Sequence, residues 1–153
     1  MKIFSILTAL LLPILAHAHC QVPCGVYTDE MRFGMIEEDL QTIEKAMSKI
    51  QELSAATDPD LALITRWTLT KESHASNIQN IVSTYFMTQR IKPDTAQYSA
   101  KIGTLHALLI SAMKCKQTLD SAHVDESRRL AAAFNELYFG KPEVTPVAAP
   151  SHP

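Results

Sequence analysis

An imidazole and two thiols stand within six residues near the start of the chain, in His19-Cys20-Gln21-Val22-Pro23-Cys24. What they can do depends on what precedes them. Met1 and Lys2 make a short positive start, Ile3 to Leu15 is a predominantly apolar run, and Ala16-His17-Ala18 puts small residues at positions -3 and -1 of a cleavage site. That is the plan of a secretory signal peptide over 1–18, and the run is too short to span a membrane. Cleavage between Ala18 and His19 leaves His19 with a free α-amine, in a secreted or periplasmic protein.

The exposed terminus is then a chelator. The α-amine, the amide nitrogen of Cys20 and the Cys20 thiolate are consecutive donors, and each neighbouring pair closes a five-membered ring with a metal. Cys24 adds a second thiolate four residues later. Two nitrogens and two sulfurs in a plane suit a d⁸ ion, with the His19 imidazole approaching axially. Nickel(II) and copper(II) favour such tetragonal sets, whereas zinc prefers a tetrahedron. Thiolates drive copper toward Cu(I), so nickel, one ion per subunit, fits best. Pro23 restricts the backbone where the chain must turn back, and Gly25 admits conformations other residues resist.

Four helices are expected to carry this hook, residues 19–27. Phe33, Ile36, Leu40, Ile43, Met47 and Ile50 recur at spacings of three and four, one face of a helix that Thr28 or Asp29 could cap. After a turn over residues 54–59, Asp58-Pro59-Asp60 opens a second helix with Pro at an early position. Its stripe holds Ile64, Trp67, Ile78, Ile81 and Tyr85, with Lys71 and His74 on the seam between them. Those two polar residues mark either a site or a snorkelling lysine and a hydrogen-bonded core histidine. Lys92-Pro93-Asp94 breaks the chain. A third helix follows with Tyr98, Ile102, Leu105, Leu109 and Ala112 or Met113 inward, and a fourth from about Asp125 to Phe139 with Leu130, Phe134 and Leu137 inward. Gly140 ends it. The class is therefore all-α, an antiparallel four-helix bundle over 28–140, followed by a proline-rich tail over 141–153 expected to be disordered.

Composition narrows the partners. Among 153 residues, 14 are basic and 16 acidic, and loss of Lys2 with the leader leaves 13 against 16. Nothing in that balance invites nucleic acid, or an anionic membrane once the leader is gone. No phosphate-binding glycine loop, G-x-S-x-G or C-x-x-C is present. Cys115, on a helix without His or Cys beside it, reads as a buried structural thiol.

The run His19-Cys20-Gln21-Val22-Pro23-Cys24-Gly25-Val26-Tyr27 resembles the nickel-binding hook of nickel superoxide dismutases, His-Cys-x-x-Pro-Cys-Gly-x-Tyr. Tyr85-Phe86 resembles the family's Tyr-Phe pair. The resemblance implies a homohexamer that disproportionates superoxide to dioxygen and hydrogen peroxide by cycling nickel between +2 and +3. It implies His19, Cys20 and Cys24 as ligands, Tyr27 guarding the open face and Tyr85 assisting from the second helix. It also implies a glutamate early in the first helix that orients the imidazole, for which Glu37 is preferred over Glu38. The family's supporting arginine has no clear counterpart, although Lys71 and His74 lie in that stretch. Lys71 and Arg90 are candidates for attracting the anionic substrate. Gln21, where many members have aspartate, and Met87, where some have lysine, depart from the pattern. Two other outcomes fit the same hook: a secreted nickel or copper binding module without turnover, and an interaction protein stapled by a Cys20–Cys24 disulfide.

Overall fold

The computed structural model describes residues 28–140. The expected leader (1–18), the hook with His19, Cys20, Pro23, Cys24, Gly25 and Tyr27, and the tail (141–153) lie outside the described residues. Within them, the spacing of apolar side chains becomes helices and no strand. Helix α1 spans Asp29–Ser54 and buries Phe33, Ile36, Leu40, Ile43, Met47 and Ile50, the six that the periodicity selects. Its cap is Thr28, whose hydroxyl accepts the Met31 N–H at 3.3 Å. Asp29 is thereby left free for contacts elsewhere in the bundle.

Helix α2 spans Leu61–Asn80 and runs directly into a π-helical segment, Ile81–Arg90. Asp60 caps α2 by accepting the Leu63 N–H at 2.9 Å, so Pro59 stands before the cap rather than inside the first turn. The wide turn shows in bonds that reach back five residues, Ile91 N–H to the Phe86 carbonyl at 2.9 Å among them. Helix α3 (Tyr98–Gln117) is entered through Gln97 in the left-handed region. Helix α4 (Ala122–Phe139) starts one turn earlier than Asp125, and ends on Gly140 at φ 66°, where glycine carries no steric penalty.

The α3 stripe differs from expectation. Lys101, Leu105, Leu108, Ala112 and Cys115 face inward, while Tyr98 and Met113 are exposed and Ile102 and Leu109 sit at the margin. This helix is apolar on so many sides that its spacing admits two registers. Packing against α2 and α4 selects between them.

Each helix packs on the next and α4 returns to α1, the cycle of an up-down-up-down bundle. Contacts between early α1 and the π-helical segment, and between early α3 and late α4, fix the antiparallel sense. Leu40, Ile43, Ile78, Leu105 and Leu108 fill the middle. One end is aromatic: Phe86 packs edge-on to Phe134 at 4.9 Å between centroids, with Phe33, Tyr138 and Phe139 around them. Thr28, the first described residue, lies at that same end.

Candidate functional site

Where the aromatic end meets the start of α1, one carboxylate gathers groups from three elements. Asp29 Oδ1 accepts the Tyr85 hydroxyl, and it accepts Arg90 Nε at 3.0 Å. Asp29 Oδ2 accepts the Tyr138 hydroxyl at 2.8 Å. Arg90 Nη2 donates to the Tyr85 oxygen at 2.8 Å and lies equally close to Asp29. The Arg32 guanidinium stands 4.6 Å from the Tyr85 ring centroid, and Lys101 stands 5.8 Å from that of Tyr138.

The π-helical segment explains why Tyr85 and Arg90 meet. Five residues along an α-helix carry a side chain about 140° round the axis, onto another face. In a π-helix the turn closes at the fifth residue, so Arg90 returns beneath Tyr85. Single π turns are common where function needs a displaced side chain. Here the displaced side chain is a cation placed on a buried phenol.

Charge and hydrogen bonding hold each group in a definite state. Burial pushes the Asp29 pKa up, but hydrogen bonds from Tyr85 and Tyr138 and the charge of Arg90 outweigh it, and the net direction is down. Burial and the neighbouring carboxylate both push Tyr138 well above the ordinary tyrosine range, and Tyr85 moves the same way for the same reasons. At neutral pH the cluster is therefore one carboxylate, two neutral phenols and the Arg90 guanidinium. Two pH limits follow. Asp29, with its pKa depressed, stabilises the fold above the ordinary aspartate value of about 4, and this is lost as pH falls through the lower native value. The raised tyrosines stabilise it below about 10, and that is lost as pH climbs toward their native values. Thermal midpoints measured across pH are expected to fall at both ends and to lose part of each limb in Tyr138→Phe.

Among the described residues, the structure brings Tyr85 and Arg90 together and sets Glu37, Lys71 and His74 elsewhere. Glu37, two turns further along α1, accepts Arg128 Nε of α4 at 3.1 Å. His74 Nδ1 lies 2.6 Å from Asp39 Oδ1 on the α1–α2 seam, and Asn77 donates to the same oxygen. Lys71 is buried with its ammonium on the carbonyls of Cys115, Lys116 and Thr118, at the far end of the bundle. Lys71 lies 14 residues before Tyr85 on one continuous rod, about 20 Å at 1.5 Å per residue. These contacts match the satisfied, structural alternative for both seam residues. Cys115 is fully buried beside Ser127, and burial pushes its thiol pKa up.

Asp29 and Tyr138 carry no motif that would select them. Their one sequence signal is position: Asp29 directly follows the cap, and Tyr138 stands in the last turn of α4. Among the described residues, no three His, Cys, Asp or Glu side chains gather to hold a metal ion.

The model of the family described as nickel-containing superoxide dismutase matches residues 15–141, most of the chain. No curated protein and no solved structure shows a match.

Proposed function

The chain belongs to the nickel-containing superoxide dismutase family, and from that premise we propose that its metal centre is built on the terminus beginning at His19. Its cofactor is nickel and its substrate superoxide. The donor set fits that metal: an amine, an imidazole and two thiolates from His19, Cys20 and Cys24 supply the nitrogen and sulfur ligands that nickel accepts. When bound, nickel supplies a one-electron couple that takes an electron from one superoxide and gives one to the next.

The protein's own residues handle charge and protons. Tyr27 stands two positions before Asp29, whose carboxylate anchors the Tyr85 phenol. Tyr27 is the phenol that would hydrogen-bond the anion or pass protons to it, and Tyr85 assists from the second helix with its hydroxyl held between Asp29 and Arg90. Arg90 and Arg32 give the region positive charge in a protein of net negative charge, which favours approach of an anionic substrate. Assembly into a homohexamer and export through signal-peptidase cleavage after Ala18 are proposed with it, the first on the family's pattern and the second on the plan of residues 1–18.

The observation that carries the reading is the family match spanning both the hook and the bundle. Nickel content and superoxide consumption of the mature protein test it. About one nickel per chain with turnover supports the site. Nickel without turnover favours a carrier, and a Cys20–Cys24 disulfide without nickel favours the stapled module. Arg90→Gln is expected to lower kcat/KM a few-fold at low ionic strength and to flatten its salt dependence. An unchanged salt slope removes Arg90 from substrate attraction.

A further inference from the structure

First-turn aspartates commonly serve their own helix, capping it or answering its dipole. In α1 that capping is done by Thr28, and the Asp29 carboxylate turns to two other elements. We propose that Asp29 is the positioning residue for Tyr85: together with Arg90 it fixes the Tyr85 hydroxyl, and it shares its second oxygen with Tyr138 so that the anchor cannot swing. The inference rests on the reading that Tyr85 acts at the metal centre.

A phenol has one proton to donate and lone pairs to accept with. The Tyr85 proton goes to Asp29 Oδ1. Arg90 Nη2 at 2.8 Å and Nε at 3.2 Å occupy the accepting side. Phe86, edge-on at 5.3 Å, and Arg32 restrict the ring itself. The hydroxyl therefore has one orientation. If Asp29 moved to follow Tyr85 outward, it would surrender the 2.8 Å bond from Tyr138.

All four sides of the bundle contribute. Asp29 and Arg32 come from α1, Tyr85 and Arg90 from the π-helical segment, Lys101 from α3 and Tyr138 from α4. A charge-assisted network of this kind is stronger than isolated neutral hydrogen bonds, and its members respond to one another. A bystander tie between helices would hold the bundle without altering how Tyr85 behaves. A positioning residue acts through Tyr85, so its effect vanishes when the Tyr85 hydroxyl is gone.

The test uses the full mature protein and Asp29→Asn, which keeps shape and removes charge. The phenolate absorbance of apo and nickel-loaded protein is titrated, and the pH profile of superoxide consumption is recorded beside nickel content. Two of the four tyrosines are expected to ionise at lower pH in the variant, because the carboxylate that opposes their ionisation is gone. The alkaline limb of activity should move with them while nickel stays bound. In a Tyr85→Phe background, Asp29→Asn should produce no further change in activity. Should the amide variant not fold, Asp29→Glu moves the charge by one methylene and is expected to shift the same limb. Phenol titrations that do not move overturn the proposal, as does an equal activity loss with and without the Tyr85 hydroxyl. The titration needs no turnover. Shifted phenols in a protein that never consumes superoxide therefore count against the dismutase centre, not against the anchoring of Tyr85.

Discussion

Protein that retains Ala18 in front of His19 is expected to bind little nickel and to consume superoxide no faster than background. Acylation turns the α-amine, a basic nitrogen with a pKa near 8, into an amide whose lone pair is delocalised. That removes one nitrogen donor and changes the chelate ring it closes with the Cys20 amide. Substituting even an outer-shell partner of a metal site commonly costs about 10–100-fold in affinity or activity. Loss of a direct ligand should exceed that. Little change is expected in the bundle, because the helices and apolar core of residues 28–140 pack on one another. Circular dichroism and thermal midpoint should therefore match between the two proteins while nickel content and turnover separate them. Equal nickel and equal activity in both would remove the free amine from the site. Export has a separate test: when the full 153-residue chain is expressed, amino-terminal sequencing of the secreted material should begin at His19.

The helices were legible because a core leaves a period. Phe33 to Ile50 announce α1 by spacing alone, and Gly140 and the Pro93 region punctuate the chain where the structure does. The α3 register was not legible, because Ile102, Leu109, Ile110 and Met113 offer apolar surface on faces that packing then leaves outside or at the margin. The π-helical turn was not legible either. Ile81, Val82, Tyr85 and Phe86 fit an ordinary helical stripe, and the extra residue per turn becomes visible only when Arg90 lands on Tyr85.

The candidate site divides along a similar line. The hook is proposed from sequence because ligand types at fixed spacing are local, and it lies outside the described residues. The anchoring of Tyr85 could not be read there, because Asp29, Arg90 and Tyr138 are separated by most of the chain and meet only through the fold. Lys71 and His74 drew notice as polar residues on an apolar seam, which is what satisfied buried groups also look like. Sequence marks the anomaly in such cases, and only the partners decide its meaning.

Lys71 offers the sharpest separation of those meanings. Lys71→Met is expected to destabilise the bundle by about 2–4 kcal/mol while leaving nickel content and activity per folded molecule unchanged. Methionine retains an apolar stem of similar length in a position only 3% exposed. What disappears is the ammonium that donates to Cys115, Lys116 and Thr118 carbonyls at 2.9, 2.5 and 3.2 Å. These lie at the C-terminal end of α3, where carbonyls have no partner within the helix and a positive charge also meets the negative end of its dipole. Burial pushes the Lys71 pKa below the ordinary lysine value, so desolvation outweighs what the neighbouring charges return. The wild-type side chain is thus a modest net contributor, and the large expected loss comes from stranding carbonyls to which, among the described residues, no other side chain donates. Urea unfolding should show a lower midpoint with little change in slope. The opposite pattern, intact stability with lost nickel or turnover, would return Lys71 to the metal centre as a source of charge. About 20 Å of helix stands between Lys71 and Tyr85 within one subunit, so that outcome would also require the centre of one subunit to be completed by the far end of another.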